Sequence, residues 1–172
     1  EDIYIVLESK KRIQDVIDID GRVYEGLPIS RAKNVQASIS IMYGCDNFCT
    51  YCIVPYVRGR ERSRKPADII AEAKEVAKQG YKEIMLLGQN VNSYGNDFTG
   101  ENEGYGFAKL LQDIEKIDGI EIIRFISPHP KDFTDDVIET IRNSKKIARQ
   151  VHLPLQSGNS EVLKAMNRKY TK

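Results

Sequence analysis

The sequence predicts an α/β fold with parallel strands, on three observations. Apolar runs alternate with amphipathic ones from about Ala37 onward. Each apolar run ends in a polar segment rich in Gly, Asn, Pro or Cys. The amphipathic runs between them are long enough for the crossover helices that parallel strands require.

Ala37–Met42 (ASISIM) reads as a short first strand. Ile69, Ile70, Ala73, Val76 and Ala77 then recur at helical spacing over Ala67–Gln79, and Gly80 stands where a C-cap belongs. Glu83–Gly88 (EIMLLG) reads as a buried second strand. Phe107, Leu110, Leu111, Ile114 and Ile117 mark the next helix, followed by Glu121–Ser127 (EIIRFIS) as a third strand. Thr134 is placed to cap a further helix, with Asp135 and Asp136 in a first turn where negative charge suits the dipole. Arg149–Leu155 (RQVHLPL) reads as a fourth strand, and Ser160 opens a last helix through Val162, Leu163 and Met166. An open partial barrel and a doubly wound sheet both fit this alternation, since four strands cannot close a barrel. Residues 1–36 read as a linker or lead-in element, with Asp20-Gly21 a candidate hairpin turn into Arg22–Tyr24. The chain does not begin with Met, and the expectation is a piece of a longer protein.

At 172 residues, with 41% hydrophobic and 30% charged content, the chain has the composition of an ordinary globular domain. No apolar run approaches bilayer length, and Glu1–Lys11 has no secretory pattern, so a cytoplasmic location without membrane contact is expected. The net charge of +1 means that a nucleic-acid partner would be met by a local basic patch.

All three cysteines, Cys45, Cys49 and Cys52, fall in one eight-residue window. An odd count without a secretory signal argues against a disulfide framework, and thiols packed this closely point to metal. The spacing C-x3-C-x2-C suits a cubane iron–sulfur cluster, which is held by thiolates. Three thiolates leave one iron without a protein ligand unless a distant residue supplies it, and an open metal position is a place for substrate. Structural zinc with His129 or His152 as fourth ligand is the alternative, although no second close Cys or His pair exists.

In parallel α/β folds, sites gather at the C-terminal ends of the strands. That rule gathers Tyr43–Cys52, Gly88–Asn92, Ser127–Pro130 and Gln156–Asn159 on one rim. Gly88-Gln89-Asn90 also suits a plain turn, and His129 between two prolines suits an ordered loop. His152 within its strand reads as a packed or hydrogen-bonded histidine. Arg58, Arg60, Arg62, Arg64 and Lys65 put five cations in eight residues, opposed by Glu61. Such a run suits phosphate binding, a solvated loop before the next helix, or orientation of a small charged cofactor.

The Cys45–Cys52 loop, with Tyr51 before the last cysteine, resembles the CxxxCxxC loop of radical S-adenosylmethionine (SAM) enzymes. Ser40–Cys45, Pro55–Arg64, Leu86–Gly95, Asp132–Asp136 and His152–Gly158 are similar to the methylthiotransferases of that family. Gly88–Asn92 and Leu163–Arg168 resemble its tRNA branch, the MiaB type, and the likeness runs from roughly Gly26 to Lys172. It implies a partial parallel (β/α) barrel of the radical SAM type over residues 37–172, truncated after about four β/α units. It also implies a 4Fe–4S cluster on Cys45, Cys49 and Cys52 whose unique iron binds SAM and yields a 5′-deoxyadenosyl radical. Tyr51, Gly88, Gln89, Asn90, Gln156 and Ser157 would contact SAM, while Arg58, Arg60, Arg62, Arg64 and Lys65 would meet tRNA. The implied reaction is methylthiolation of isopentenylated adenosine beside the anticodon, fed by an electron donor such as flavodoxin or ferredoxin. Sister branches act on a ribosomal-protein aspartate or on threonylcarbamoyl-adenosine. Family members also carry an N-terminal domain whose three further cysteines hold a second 4Fe–4S cluster, and a C-terminal TRAM domain. This chain has no cysteines for that second cluster.

Overall fold

The structure, a computed structural model, describes Arg31 and residues 35–172. The expected lead-in element and its Asp20-Gly21 turn lie outside the described residues. The strands are β1 (Gln36–Ser40), β2 (Met42–Tyr43), β3 (Arg62–Ser63), β4 (Glu83–Leu87) and β5 (Ile122–Phe125). The helices are α1 (Val54–Arg58), α2 (Pro66–Lys78), α3 (Phe107–Glu115), α4 (Asp135–Asn143) and α5 (Ser160–Ala165).

β1, β4 and β5 form one parallel sheet in that order. A parallel bridge from Ile147 to Ile123 adds the next segment of chain beyond β5. Each new segment therefore joins on the same side of the sheet as the last. A doubly wound sheet would bring one of them back beside the first strand. The strand progression is that of a partial parallel β/α barrel.

Register decides which face the helices cover. Ala37 pairs with Ile84 and Ile39 with Leu86, while Ile123 and Phe125 stand opposite Ile84 and Leu86 from β5. All six are buried. They pack under Ile69, Ala73 and Val76 of α2 and Leu110, Leu111 and Ile114 of α3. Burying each of the large aliphatic side chains contributes about 1.5–3 kcal/mol. The opposite face carries Gln36, Glu83 and Arg124 at its base, where Glu83 Oε1 accepts from Gln36 Nε2 (2.5 Å) and Arg124 Nε (3.0 Å). A cavity of about 270 Å³ opens on this face between Met85, Arg124, Gln150 and His152.

The helix ends follow local chemistry. Pro66 occupies the first turn of α2, where its missing N–H costs nothing. Gly80 leaves that helix at φ +91°, which only glycine adopts freely. Asn159 caps α5 through Oδ1, which accepts from Glu161 N (2.8 Å) and Val162 N (3.2 Å). Thr134 holds the N-cap position of α4 in extended backbone, but its side chain makes no capping bond.

Three expectations are corrected. The first strand ends at Ser40, and Met42–Tyr43 instead begins an antiparallel pair with Arg62–Ser63. The expected fourth strand, Arg149–Leu155, is not a strand. The sheet contact falls earlier, where Ile123 N donates to Lys146 O and Ala148 N donates to Ile123 O, both at 2.9 Å. Beyond Ala148 the chain leaves β5, Pro154 has no N–H to give a ladder, and Leu155 is exposed. His152, expected to be packed or hydrogen-bonded within that strand, is exposed. No helix among the described residues is long and apolar enough to cross a membrane.

Candidate cluster and cofactor site

The β2–β3 pair clamps the two ends of the cysteine loop together. Inside it, Gly44 turns the chain at φ +75°, and a Cβ there would stand 2.0 Å from Arg60 O. Its amide donates to Gln89 Oε1 (2.7 Å), while Cys45 N donates to Gly59 O (3.2 Å). Gly88 allows the second rim segment to close on the first, because a Cβ would meet Met42 Cγ at 2.7 Å.

Cys45 and Cys49 are buried and Cys52 is half-buried, all as free thiols. Asn47 Nδ2 donates to Cys45 Sγ (3.4 Å) and Arg168 Nη1 donates to Cys49 Sγ (3.5 Å). Burial pushes the Cys45 thiol above its ordinary value, partly offset by the Asn47 donors. Coordination reverses that tendency, because a bound metal deprotonates its thiols. No three His, Cys, Asp or Glu among the described residues are gathered as ligands of one ion. A cubane does not require that, since it spreads its thiolates over separate irons. Three cysteines with amide and guanidinium donors on two sulfurs fit such a cluster chemically.

A buried polar network joins the other rim segments. Asn90 Nδ2 donates to Glu61 Oε1 (3.2 Å) and to Asp132 Oδ2 (2.8 Å), leaving Asn90 Oδ1 buried without a partner. Glu61 and Asp46 exchange backbone-to-carboxylate bonds at 3.2 and 3.3 Å. Burial raises the Glu61 carboxyl above the usual carboxylate range. Asn92 grips the backbone of His129 from both sides: Nδ2 donates to His129 O (3.0 Å) and Oδ1 accepts from His129 N (2.8 Å). Val91 N donates to Ser127 O (3.3 Å). His129 is only 6% exposed. Its Nδ1 accepts from Lys131 N, so Nε2 carries the proton of the neutral ring, buried and without a partner. Burial first, and the nearby Arg168 second, lower its pKa to about 4.

Among the described residues, four non-glycine residues take positive φ: Phe48 (48°), Ser127 (63°), Gln156 (63°) and Asn167 (54°). Phe48 lies in the cysteine loop, Asn167 bonds to that loop, and Ser127 O accepts from Val91 N. Each conformation costs roughly 1–2 kcal/mol in a free chain. Such strain concentrates where a site is held in a set geometry.

Among the candidates read from sequence, Gly88, Gln89 and Asn90 meet the cysteine loop or its flank. Gln156 is exposed and Ser157 accepts from Asn159 N (3.1 Å), so neither bonds to that group. Tyr51 is exposed beside Cys52. The basic run divides. Arg58, Arg60 and Lys65 are exposed, with Arg60 lying over the Phe48 ring at 5.3 Å. Arg62 folds back onto Arg60 O (3.0 Å) and Arg58 O (3.1 Å). Arg64 corrects the expectation of a phosphate contact. It is 7% exposed, and its guanidinium lies between Glu72 Oε2 (2.8 Å) and Ser40 O. Reading by sequence gave no site role to Asp46, Glu61, Asp132 or Arg168. Asp46 lies inside the Tyr43–Cys52 segment, Glu61 beside the basic run, and Asp132 and Arg168 inside segments that carry the family resemblance, but nothing in the sequence shows what they touch.

This fold and three-cysteine rim agree with a sequence profile described as the radical SAM superfamily, which matches residues 39–172. The chain belongs to that superfamily. It is 54% identical over 167 residues to a tRNA-2-methylthio-N(6)-dimethylallyladenosine synthase of Carboxydothermus hydrogenoformans, covering 97% of this chain and 37% of the relative. A protein of the same name from Thermoanaerobacter pseudethanolicus is 55% identical over 170 residues, covering 99% of this chain and 36% of the relative. One from Clostridium perfringens is 54% identical over 170 residues, covering 99% and 37%. The chain thus spans little more than a third of the length of these relatives. Among solved structures, the radical SAM methyltransferase TsrM of Kitasatospora setae, with cobalamin and a [4Fe-4S] cluster bound, has a TM-score of 0.61. It is 17% identical and covers 79% of this chain and 26% of its own.

Proposed function

We propose that the chain is the SAM-cleaving core of a tRNA methylthiotransferase that modifies isopentenylated adenosine beside the anticodon. One observation carries the reading: identity of 54–55% extends over 97–99% of the chain to relatives of that one name. The placement of the cysteine loop on a partial-barrel rim supports it.

In this reading Cys45, Cys49 and Cys52 hold a 4Fe–4S cluster and leave one iron open for SAM. When bound, cluster and SAM supply reductive cleavage of the sulfonium and a 5′-deoxyadenosyl radical. The chain's own part is to hold and shield. Gln89 fixes the start of the cysteine loop, and Gly88 lets the β4 end approach it. Asn90 Oδ1, buried and unpartnered, is an acceptor for a cationic amine. Gln156, Ser157 and Tyr51 complete the proposed cofactor contacts. Sulfur delivery, and the second cluster it needs, belong to cysteines this chain lacks. The reading places the protein in the cytoplasm with a flavodoxin- or ferredoxin-like donor. The test is the full-length protein, reduced anaerobically with SAM and isopentenylated tRNA, followed by nucleoside analysis. Methylthiolated adenosine is expected. SAM cleavage without that nucleoside would retire the tRNA substrate.

Within the basic run, Arg58, Arg60 and Lys65 are exposed enough to reach tRNA phosphates. Changing all three to Gln in the full-length protein should weaken cognate and non-cognate tRNA about equally. The log–log salt slope should fall by roughly 0.7–0.9 for each phosphate no longer neutralised. Unchanged affinity and slope would remove this segment from the RNA interface.

A further inference from the structure

Three consecutive residues just beyond α5, far from the cysteines in sequence, grip the cysteine loop. Met166 O accepts from Thr50 N (3.2 Å). Asn167 Nδ2 donates to Phe48 O (2.8 Å) and Asn47 O (3.2 Å). Arg168 Nη1 donates to Cys49 Sγ (3.5 Å). The grip is itself held. Arg168 is 7% exposed, with Nη2 donating to Pro154 O (3.1 Å), Nε to Tyr170 Oη (3.1 Å), and the guanidinium 5.2 Å from the Tyr170 ring centroid. Tyr170 in turn donates to Leu155 O (2.9 Å) and packs edge-on against His129 (5.5 Å). Both the clamping Asn167 and the clamped Phe48 stand at positive φ, at 54° and 48°.

We propose that Asn167 and Arg168 are positioning residues for the iron–sulfur cluster, with separate duties. Asn167 holds the loop between Cys45 and Cys49 in its ligating shape. Arg168 sets the electron affinity of the cluster through the Cys49 sulfur. The inference rests on the cluster assignment above. An N–H donor and a positive charge at a ligating sulfur both favour the more negative, reduced cluster, and so raise its potential. A neutral amide donating to backbone carbonyls acts on geometry instead.

The experiment uses the cluster-loaded protein in three variants. Arg168→Met removes charge and donor at similar length, Arg168→Lys keeps the charge, and Asn167→Gly keeps the backbone conformation while removing the clamp. Midpoint potential is followed by electron paramagnetic resonance during reductive titration, and iron release by transfer to a chelator. Arg168→Met should move the potential to more negative values, with Arg168→Lys in between. Asn167→Gly should leave the potential unchanged but release iron about tenfold faster, the scale of weakening when a metal site's supporting hydrogen bonds are removed. A wild-type potential in Arg168→Met, an equal shift in Asn167→Gly, or wild-type iron retention in Asn167→Gly overturns the proposal. Failure of the wild-type protein to load iron would instead overturn the cluster assignment itself.

Discussion

Cys45→Ala, Cys49→Ala and Cys52→Ala are each expected to abolish cluster binding, leaving iron and sulfide at background after anaerobic reconstitution. Two thiolates cannot hold a cubane stably, and the sequence offers no spare cysteine to substitute. The fold should survive, because none of the three thiols fills the main core and each change removes one sulfur atom. Thermal melts of the variants should therefore stay within a few degrees of the parent stripped of its cluster, about 1 kcal/mol for a domain of this size. Near-normal iron in any one variant would show that its thiol is not a ligand.

Gly44→Ala should be nearly as damaging by a different route. The added Cβ meets two backbone oxygens, Arg60 O at 2.0 Å and Gly59 O at 2.6 Å, and neither is the flexible end of a side chain. The substitution also forces an L-residue to φ +75°. Together these cost on the order of 3 kcal/mol or more. The loop can escape only by giving up the Cys45 N to Gly59 O bond and the pairing of β2 with β3. The expected result is a large drop in iron content with all three cysteines intact. Gly158→Ala, where a Cβ would meet nothing within 4 Å, is the control and should load normally. Equal loading of the two variants would mean that the tight turn at Gly44 is not needed.

What the sequence reveals here is what is local. Alternating runs locate β4 and α2–α4 within a residue or two at most ends, because burial of one face imposes a short period on neighbouring residues. The cysteine loop is legible because its three thiols are close in sequence as well as in function. Arg64 misleads because its neighbours are cations, whereas its environment is set by Glu72 on the next helix and Ser40 on β1. The Arg168 contact is invisible for the same reason: its sulfur partner lies 119 residues away. Arg149–Leu155 has the alternation of a strand, yet after Ala148 its backbone no longer runs beside β5. Asp46, Glu61 and Asp132 get no role from the sequence, because the bonds that join them to one another and to Asn90 cross between distant segments.

The central claim is that this rim is built to cleave SAM at a cluster on Cys45, Cys49 and Cys52. It is tested most directly by reconstituting the protein anaerobically, adding SAM and dithionite, and quantifying 5′-deoxyadenosine and methionine. The two products should appear in equal amounts from protein carrying about four irons at this site, and should vanish with Cys45→Ala. Fully loaded protein that leaves SAM intact, or Cys45→Ala that cleaves it as well as the parent, would contradict the claim.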